Sequence, residues 1–132
     1  MYYHGRGNSR PYYGNQIFIT NNLNYASIYT NLGYVFEVEL NFSSDKIFSL
    51  RSTAHRDHII QTFGQEILNR MDTSSEIDWS EIGYLCNDQF DSGEDWMISL
   101  GFKAVKLKER SNIDSICVFD HDDVTLSNKI TV

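Results

Sequence analysis

Alternating and helical patterns of apolar residues run through the chain and predict a mixed α and β structure. Residues 34–40 place apolar side chains at 36, 38 and 40 and glutamates at 37 and 39, which is typical of a half-buried strand. Other segments rich in β-branched and aromatic residues, bounded by turn formers, are also predicted to be strands. They are residues 2–4, 17–20, 46–50, 102–108 and 115–120.

Helices are predicted where apolar residues recur every three or four positions. The longest, over residues 54–71, has its apolar stripe at Ile59, Ile60, Phe63, Ile67 and Leu68. Shorter helices are predicted at about 22–30, 79–85 and 92–100. The order of strand, strand, helix, strand, helices and two closing strands indicates one α+β domain over residues 1–132, with a split, mainly antiparallel sheet.

The first 36 residues differ from the rest of the chain in charge and aromatic content. They contain seven of the eight tyrosines and the arginines Arg6 and Arg10, and the first carboxylate of the chain is Glu37. An aromatic segment without carboxylates suits a flat, anionic ligand such as a dinucleotide.

Acidic residues are concentrated in the second half. Residues 1–70 have six Lys and Arg against five Asp and Glu, whereas residues 71–132 have five against thirteen. This balance argues against a nucleic-acid groove, which is built on contacts from Lys and Arg to phosphates. It favours either a basic protein partner, such as a nucleic-acid-binding protein, or a solvated face on a monomer. Cys86 and Cys117 lack metal-ligand spacing and are typical of free thiols in the cytoplasm.

Four features occur in an order that is known from one enzyme superfamily. His4 is followed by Gly5 on the first predicted strand, and Phe18 lies eleven residues before Tyr29. The run at 33–40 resembles the strand that comes next in that superfamily, and the runs at 100–105 and 117–120 resemble the closing hairpin of its small members. The chain therefore resembles the ADP-ribosyltransferase superfamily of the diphtheria-toxin and poly-ADP-ribose-polymerase type. It is most similar to small phage-encoded members, anti-CRISPR ADP-ribosyltransferases among them, and the similarity spans nearly the whole chain.

The resemblance implies an enzyme of a bacterial or phage-infected cell that uses NAD, without a metal, to ADP-ribosylate a macromolecular target. His4 would hold a ribose hydroxyl, and Gly5, which lacks Cβ, would allow a close approach of the carboxamide. Phe18 and Tyr29 would stack on the nicotinamide ring. Further expected contacts with NAD are the ring of Tyr25 and the guanidinium groups of Arg6 and Arg10, which suit a pyrophosphate.

A carboxylate is needed to stabilise the oxocarbenium-like ribose as nicotinamide leaves. Position in the small phage members implies Glu109, whereas position in the larger toxins implies Ser115, with Asp114 beside it. Because successive side chains on a strand face opposite ways, Asp114 needs a bulge or a twist to take this role. The catalytic residues are therefore predicted to be His4 and Glu109, with Asp114 as the alternative acid.

Two other interpretations of the function stay open. One is a non-enzymatic inhibitor whose acidic half occupies a basic partner. The other is an RNA 2′-phosphotransferase on the same fold, which needs more basic residues than Arg6 and Arg10 to bind RNA phosphates. A metal site at His55 and His58 is disfavoured, because the sequence offers no evident third ligand.

Overall fold

The computed structural model describes residues 1–5, 15–28, 34–109 and 113–131, and it shows an α+β protein with mainly antiparallel strand pairing. In chain order the strands are β1 Tyr2–Gly5, β2 Ile17–Thr20, β3 Tyr34–Leu40, β4 Ile47–Phe48, β5 Ala104–Leu107, β6 Ser115–Val118 and β7 Val124–Thr131. The α-helices are α1 Leu23–Ser27, α2 Thr53–Phe63, α3 Gln65–Asn69 and α4 Gly93–Ser99, and 3₁₀ helices occupy Ser44–Lys46, Trp79–Leu85 and His121–Asp123. No helix within the described ranges is long and apolar enough to cross a membrane.

Residue contacts divide the chain into two compact units, and the single domain expected from the sequence stays a prediction. The first unit, residues 1–43 and 109–132, contains five antiparallel strands in the order β6-β2-β1-β3-β7. The pair β2 and β6 supplies much of its core, because Ile17, Ile19, Ile116, Cys117 and Val118 are fully buried. The strand predicted at 34–40 is confirmed as β3. Its buried residues are Val35 and Val38, whereas the predicted apolar face consisted of residues 36, 38 and 40.

The prediction of two closing strands is wrong, because a third, β7, follows them. It pairs with β3 from Val124 opposite Leu40 to Thr131 opposite Tyr34. A bulge at Asn128 interrupts this ladder, and asparagine tolerates the φ of +41° that it adopts there. The strand lies at the end of the strand order and most of its residues are exposed, so its sequence lacks a strong apolar alternation.

The second unit, residues 44–108, has a parallel strand pair and an aromatic core. Ile47 of β4 is opposite Ala104 of β5, and Phe48 is opposite Val105. The ring of Phe48 lies 5.6 Å from that of Trp96 and 5.3 Å from that of Phe102, both edge to face. The Nε1–H of Trp96 donates to Oγ1 of Thr62 at 3.1 Å, so the one polar group of this buried ring has a hydrogen-bond partner.

The helix predicted over residues 54–71 is wrong in its continuity. Gly64, with φ at +96°, separates α2 from α3. Glycine takes this backbone conformation at little cost and is a common residue after a helix C-terminus, which explains the break. The short helix predicted at 79–85 is present as a 3₁₀ helix and not as an α-helix.

Candidate functional site

His4 connects the first two strands at the point where their backbone ladder ends. β1 pairs with β3 at all four of its residues, whereas within the described part of the chain its ladder with β2 consists of Tyr3 opposite Thr20. Beyond that pair, Nδ1 of His4 lies 2.8 Å from the carbonyl oxygen of Phe18. A carbonyl oxygen only accepts, so Nδ1 carries the hydrogen and donates it. In the neutral ring, Nε2 then holds the lone pair and can accept a hydrogen bond from a hydroxyl group.

Phe18 presents an aromatic surface from a strand that is otherwise buried. The residue is 42% exposed, whereas Ile17 and Ile19 on either side are 1% exposed. An accessible ring offers the apolar area that stacking on a flat ligand requires. The same residue thus contributes a backbone carbonyl to His4 and a ring surface to solvent.

The turn between β2 and α1 is held by side-chain caps. The backbone N–H of Asn22 donates to Oγ1 of the buried Thr20, at 3.3 Å. The side chain of Asn22 in turn accepts from the N–H of Tyr25, at 2.8 Å, which is the expected interaction of a helix N-cap. Ala26 is 1% exposed and anchors the apolar side of the helix. These contacts fix a helix of five residues that is too short to be stable by itself.

Tyr25 and Glu109, which are 84 residues apart in sequence, meet in the first unit. The hydroxyl of Tyr25 donates to Oε2 of Glu109 at 2.7 Å. Both side chains are half-buried. The short distance is typical of a hydroxyl that donates to an ionised carboxylate, and such bonds are about twice as strong as neutral ones. This contact joins the predicted catalytic acid to the helix that follows the Phe18 strand.

The alternative acid, Asp114, is held through its backbone. Its N–H donates to Oδ1 of Asn21 at 3.0 Å, and its carbonyl accepts from the N–H of Asn21 at 3.2 Å. The residue is exposed. Burial, and after it the negative charge of Asp114, raises the pKa of the Tyr2 hydroxyl. Asp114 therefore contributes negative charge near the start of β1, whereas Glu109 has a hydrogen bond to its carboxylate.

Three of the residues that the sequence predicts to contact the ligand, Arg6, Arg10 and Tyr29, lie outside the described residues. Gly5 ends β1 and is opposite Val35 of β3. The roles assigned to these residues in binding NAD stay predictions.

His55 and His58, the histidines with metal-ligand spacing, lie in the second unit. Nδ1 of His55 accepts a hydrogen bond from the N–H of Ser49, at 2.9 Å, and its ring stacks on Phe48 at 5.4 Å between centroids. Burial, followed by the charge of His58, lowers the pKa of His55. No group of three or more potential metal ligands occurs among the described residues.

No pattern in the sequence predicts the contact of His4 with Phe18 or that of Tyr25 with Glu109, because each joins residues that are far apart in the chain. A tyrosine five residues after a strand and a glutamate after a later one can take many relative positions. The sequence likewise did not indicate that Asn21 and Asp114 bind each other.

Comparison of the chain with protein-family models, with curated proteins and with solved structures found no significant match.

Proposed function

We propose that the chain is an NAD-dependent mono-ADP-ribosyltransferase that transfers ADP-ribose to a side chain of a protein target. The observation that carries this proposal is the contact of Glu109 with Tyr25. Tyr25 belongs to the helix that follows β2, and the carbonyl of Phe18 in β2 binds His4. A carboxylate, an exposed aromatic ring and a histidine with a defined donor nitrogen are thus linked through β2 and the helix that follows it.

The proposed reaction needs three actions from these residues. His4 accepts a hydrogen bond from a ribose hydroxyl through Nε2, since Nδ1 is bound to the carbonyl of Phe18. The ring of Phe18 stacks on nicotinamide and orients the bond that breaks. Glu109 stabilises the positive charge that develops on the ribose, as carboxylates do in glycosidic cleavage.

The atoms balance without a redox cofactor. The bond between the ribose C1′ and the nicotinamide nitrogen breaks, and its electron pair leaves with nicotinamide, which becomes neutral. The acceptor atom of the target forms a new bond to C1′ and loses its proton to solvent. Nicotinamide release therefore accompanies each transfer and gives a direct measure of turnover.

Two further observations support this assignment. Among the described residues the ladder between β1 and β2 consists of one residue pair, as we expect for the split sheet of an ADP-ribosyltransferase-like fold. The negative charge of residues 71–132 suits a basic target in the cytoplasm of a bacterial or phage-infected cell. We therefore propose that the target is a basic, nucleic-acid-binding protein.

Incubation of the protein with labelled NAD and a bacterial lysate tests the proposal. We expect label to enter one or a few basic proteins, and the intact mass of each to rise by ADP-ribose. The Glu109→Gln variant is the matched control and should not label them. If the wild-type protein binds a basic partner without labelling it, the non-enzymatic inhibitor becomes the better account.

A further inference from the structure

We infer that Tyr25 is a positioning residue, which holds the carboxylate of Glu109 for the reaction. The inference rests on the proposed function and assigns to Tyr25 a role other than the contact with NAD expected from the sequence. Its basis is the bond of 2.7 Å from the Tyr25 hydroxyl to Oε2 of Glu109.

Glu109 gains its orientation from a side-chain bond because its backbone lies outside the regular elements. β5 ends at Leu107, and β6 begins at Ser115. Glutamate has three rotatable side-chain bonds, and fixing such a chain costs on the order of 1–2 kcal/mol of entropy. A bond made before the substrate arrives reduces the part of this cost that falls on the reaction, which is the general benefit of preorganisation.

Tyr25 is well placed to supply this bond because it is itself held at several points. Its N–H is bound by the side chain of Asn22, whose own N–H is bound by Thr20. The next residue, Ala26, is buried and donates its N–H to the carbonyl of Asn22 at 3.0 Å. The tyrosine has two side-chain torsions and a rigid ring, so a fixed backbone defines the hydroxyl position closely.

The direction of the bond also suits the proposed chemistry. An ionised carboxylate only accepts, so the Tyr25 hydroxyl is the donor. The bond engages Oε2, and the second oxygen, Oε1, is the atom that would meet the ribose. A phenylalanine at this position would keep the ring but not the bond, which makes Tyr25→Phe the natural test.

The test combines steady-state release of nicotinamide from labelled NAD, in the presence of a bacterial lysate that supplies the acceptor, with urea unfolding of the purified proteins. The proteins compared are wild type, Tyr25→Phe, Glu109→Gln and the double variant. Tyr84→Phe removes a hydroxyl from a tyrosine that is 43% exposed in the second unit and serves as the matched control. We expect Tyr25→Phe to lower kcat about tenfold, the loss of one hydrogen bond to a charged group, and to leave KM within about twofold.

The double variant separates action through Glu109 from an independent effect. Tyr25→Phe should cause no further loss of kcat when Glu109 is already glutamine, and the two changes should be non-additive in the urea unfolding equilibrium. An unchanged kcat, a rise in KM alone, or additive losses would each overturn the positioning role. A wild-type protein that releases no nicotinamide would overturn the proposed function, and the positioning role with it. The urea measurement would then still report whether the contact itself forms.

Discussion

Replacing His4 by asparagine separates its hydrogen bond to Phe18, which the structure shows, from its contact with NAD, which the proposed function assigns. Nδ1 of His4 donates to the carbonyl of Phe18 at 2.8 Å, and Nε2 is proposed to accept from a ribose hydroxyl. The side-chain N–H of asparagine lies near the position of Nδ1 but offers nothing near Nε2. His4→Asn should therefore keep the link between β1 and β2 while removing the proposed contact with NAD. His4→Ala removes both.

The expected magnitudes follow from the two hydrogen bonds. Loss of the bond to Phe18 in His4→Ala should lower the free energy of unfolding by about 1 kcal/mol, and His4→Asn should recover most of it. Loss of the ribose contact should weaken NAD binding by roughly 1–3 kcal/mol, which corresponds to about 5- to 150-fold in Kd. Both variants should show this weaker binding.

Isothermal titration calorimetry with NAD, paired with urea unfolding, measures the two effects on the same samples. The pattern expected for His4→Asn is near-normal stability with weak NAD binding. Wild-type affinity in His4→Asn would refute the contact through Nε2 and leave His4 as a link between strands. A stability of His4→Asn as low as that of His4→Ala would refute the tautomer argued from the Phe18 carbonyl.

Two further predictions concern the second unit. The pKa of His55 is lowered by burial, so the unfolded chain binds a proton there at a higher pH than the folded chain. The free energy of unfolding should thus be greatest above about pH 6.5 and fall as the pH drops below it. His55→Asn keeps an acceptor for the N–H of Ser49 and should flatten this dependence in urea titrations; an equally steep loss would contradict the assignment. A Cβ added at Gly93 would lie 2.7 Å from Cγ1 and 2.8 Å from the carbonyl oxygen of Ile82, so Gly93→Ala should destabilise by about 1–3 kcal/mol. A Cβ added at Gly83 would have no atom beyond its chain neighbours within 4 Å, so Gly83→Ala should change stability little. Equal effects of the two substitutions would refute the steric argument.

Strands with strong apolar patterns were predictable, and elements governed by local geometry were not. The strands at 17–20 and 115–118 are mostly apolar and, apart from Phe18, buried, and such runs are recognisable from the sequence. The apolar stripe of residues 54–71 continues across Gly64, so its period did not reveal that the backbone turns there. β7 was missed because an exposed strand with a bulge at Asn128 has little reason to alternate apolar and polar residues.

The residue types of the candidate site come from the resemblance and stay predictions, and the contacts between those residues were not predictable from the sequence. His4, Phe18 and Glu109 were selected by resemblance, and two of their contacts are now visible in the first unit. Tyr25 was expected to face the cofactor, and its bond to Glu109 could not be foreseen because the two residues are 84 positions apart. Long-range pairs depend on how the strands assemble, which local patterns in one sequence do not encode.

Release of nicotinamide from labelled NAD by Glu109→Gln and Asp114→Asn, with a bacterial lysate as the source of the acceptor, tests the central claim most directly. Glutamine keeps the shape of Glu109 and removes its charge, so kcat should fall by about 10²–10³. NAD affinity by calorimetry should stay close to that of the wild type, because the charge acts mainly in the transition state. Asp114→Asn should retain most of the activity, since the hydrogen bonds of Asp114 to Asn21 are made by its backbone and not by its carboxylate. Loss of activity in Asp114→Asn alone would assign the chemistry to the other carboxylate, and unchanged turnover in both variants would contradict the enzymatic account.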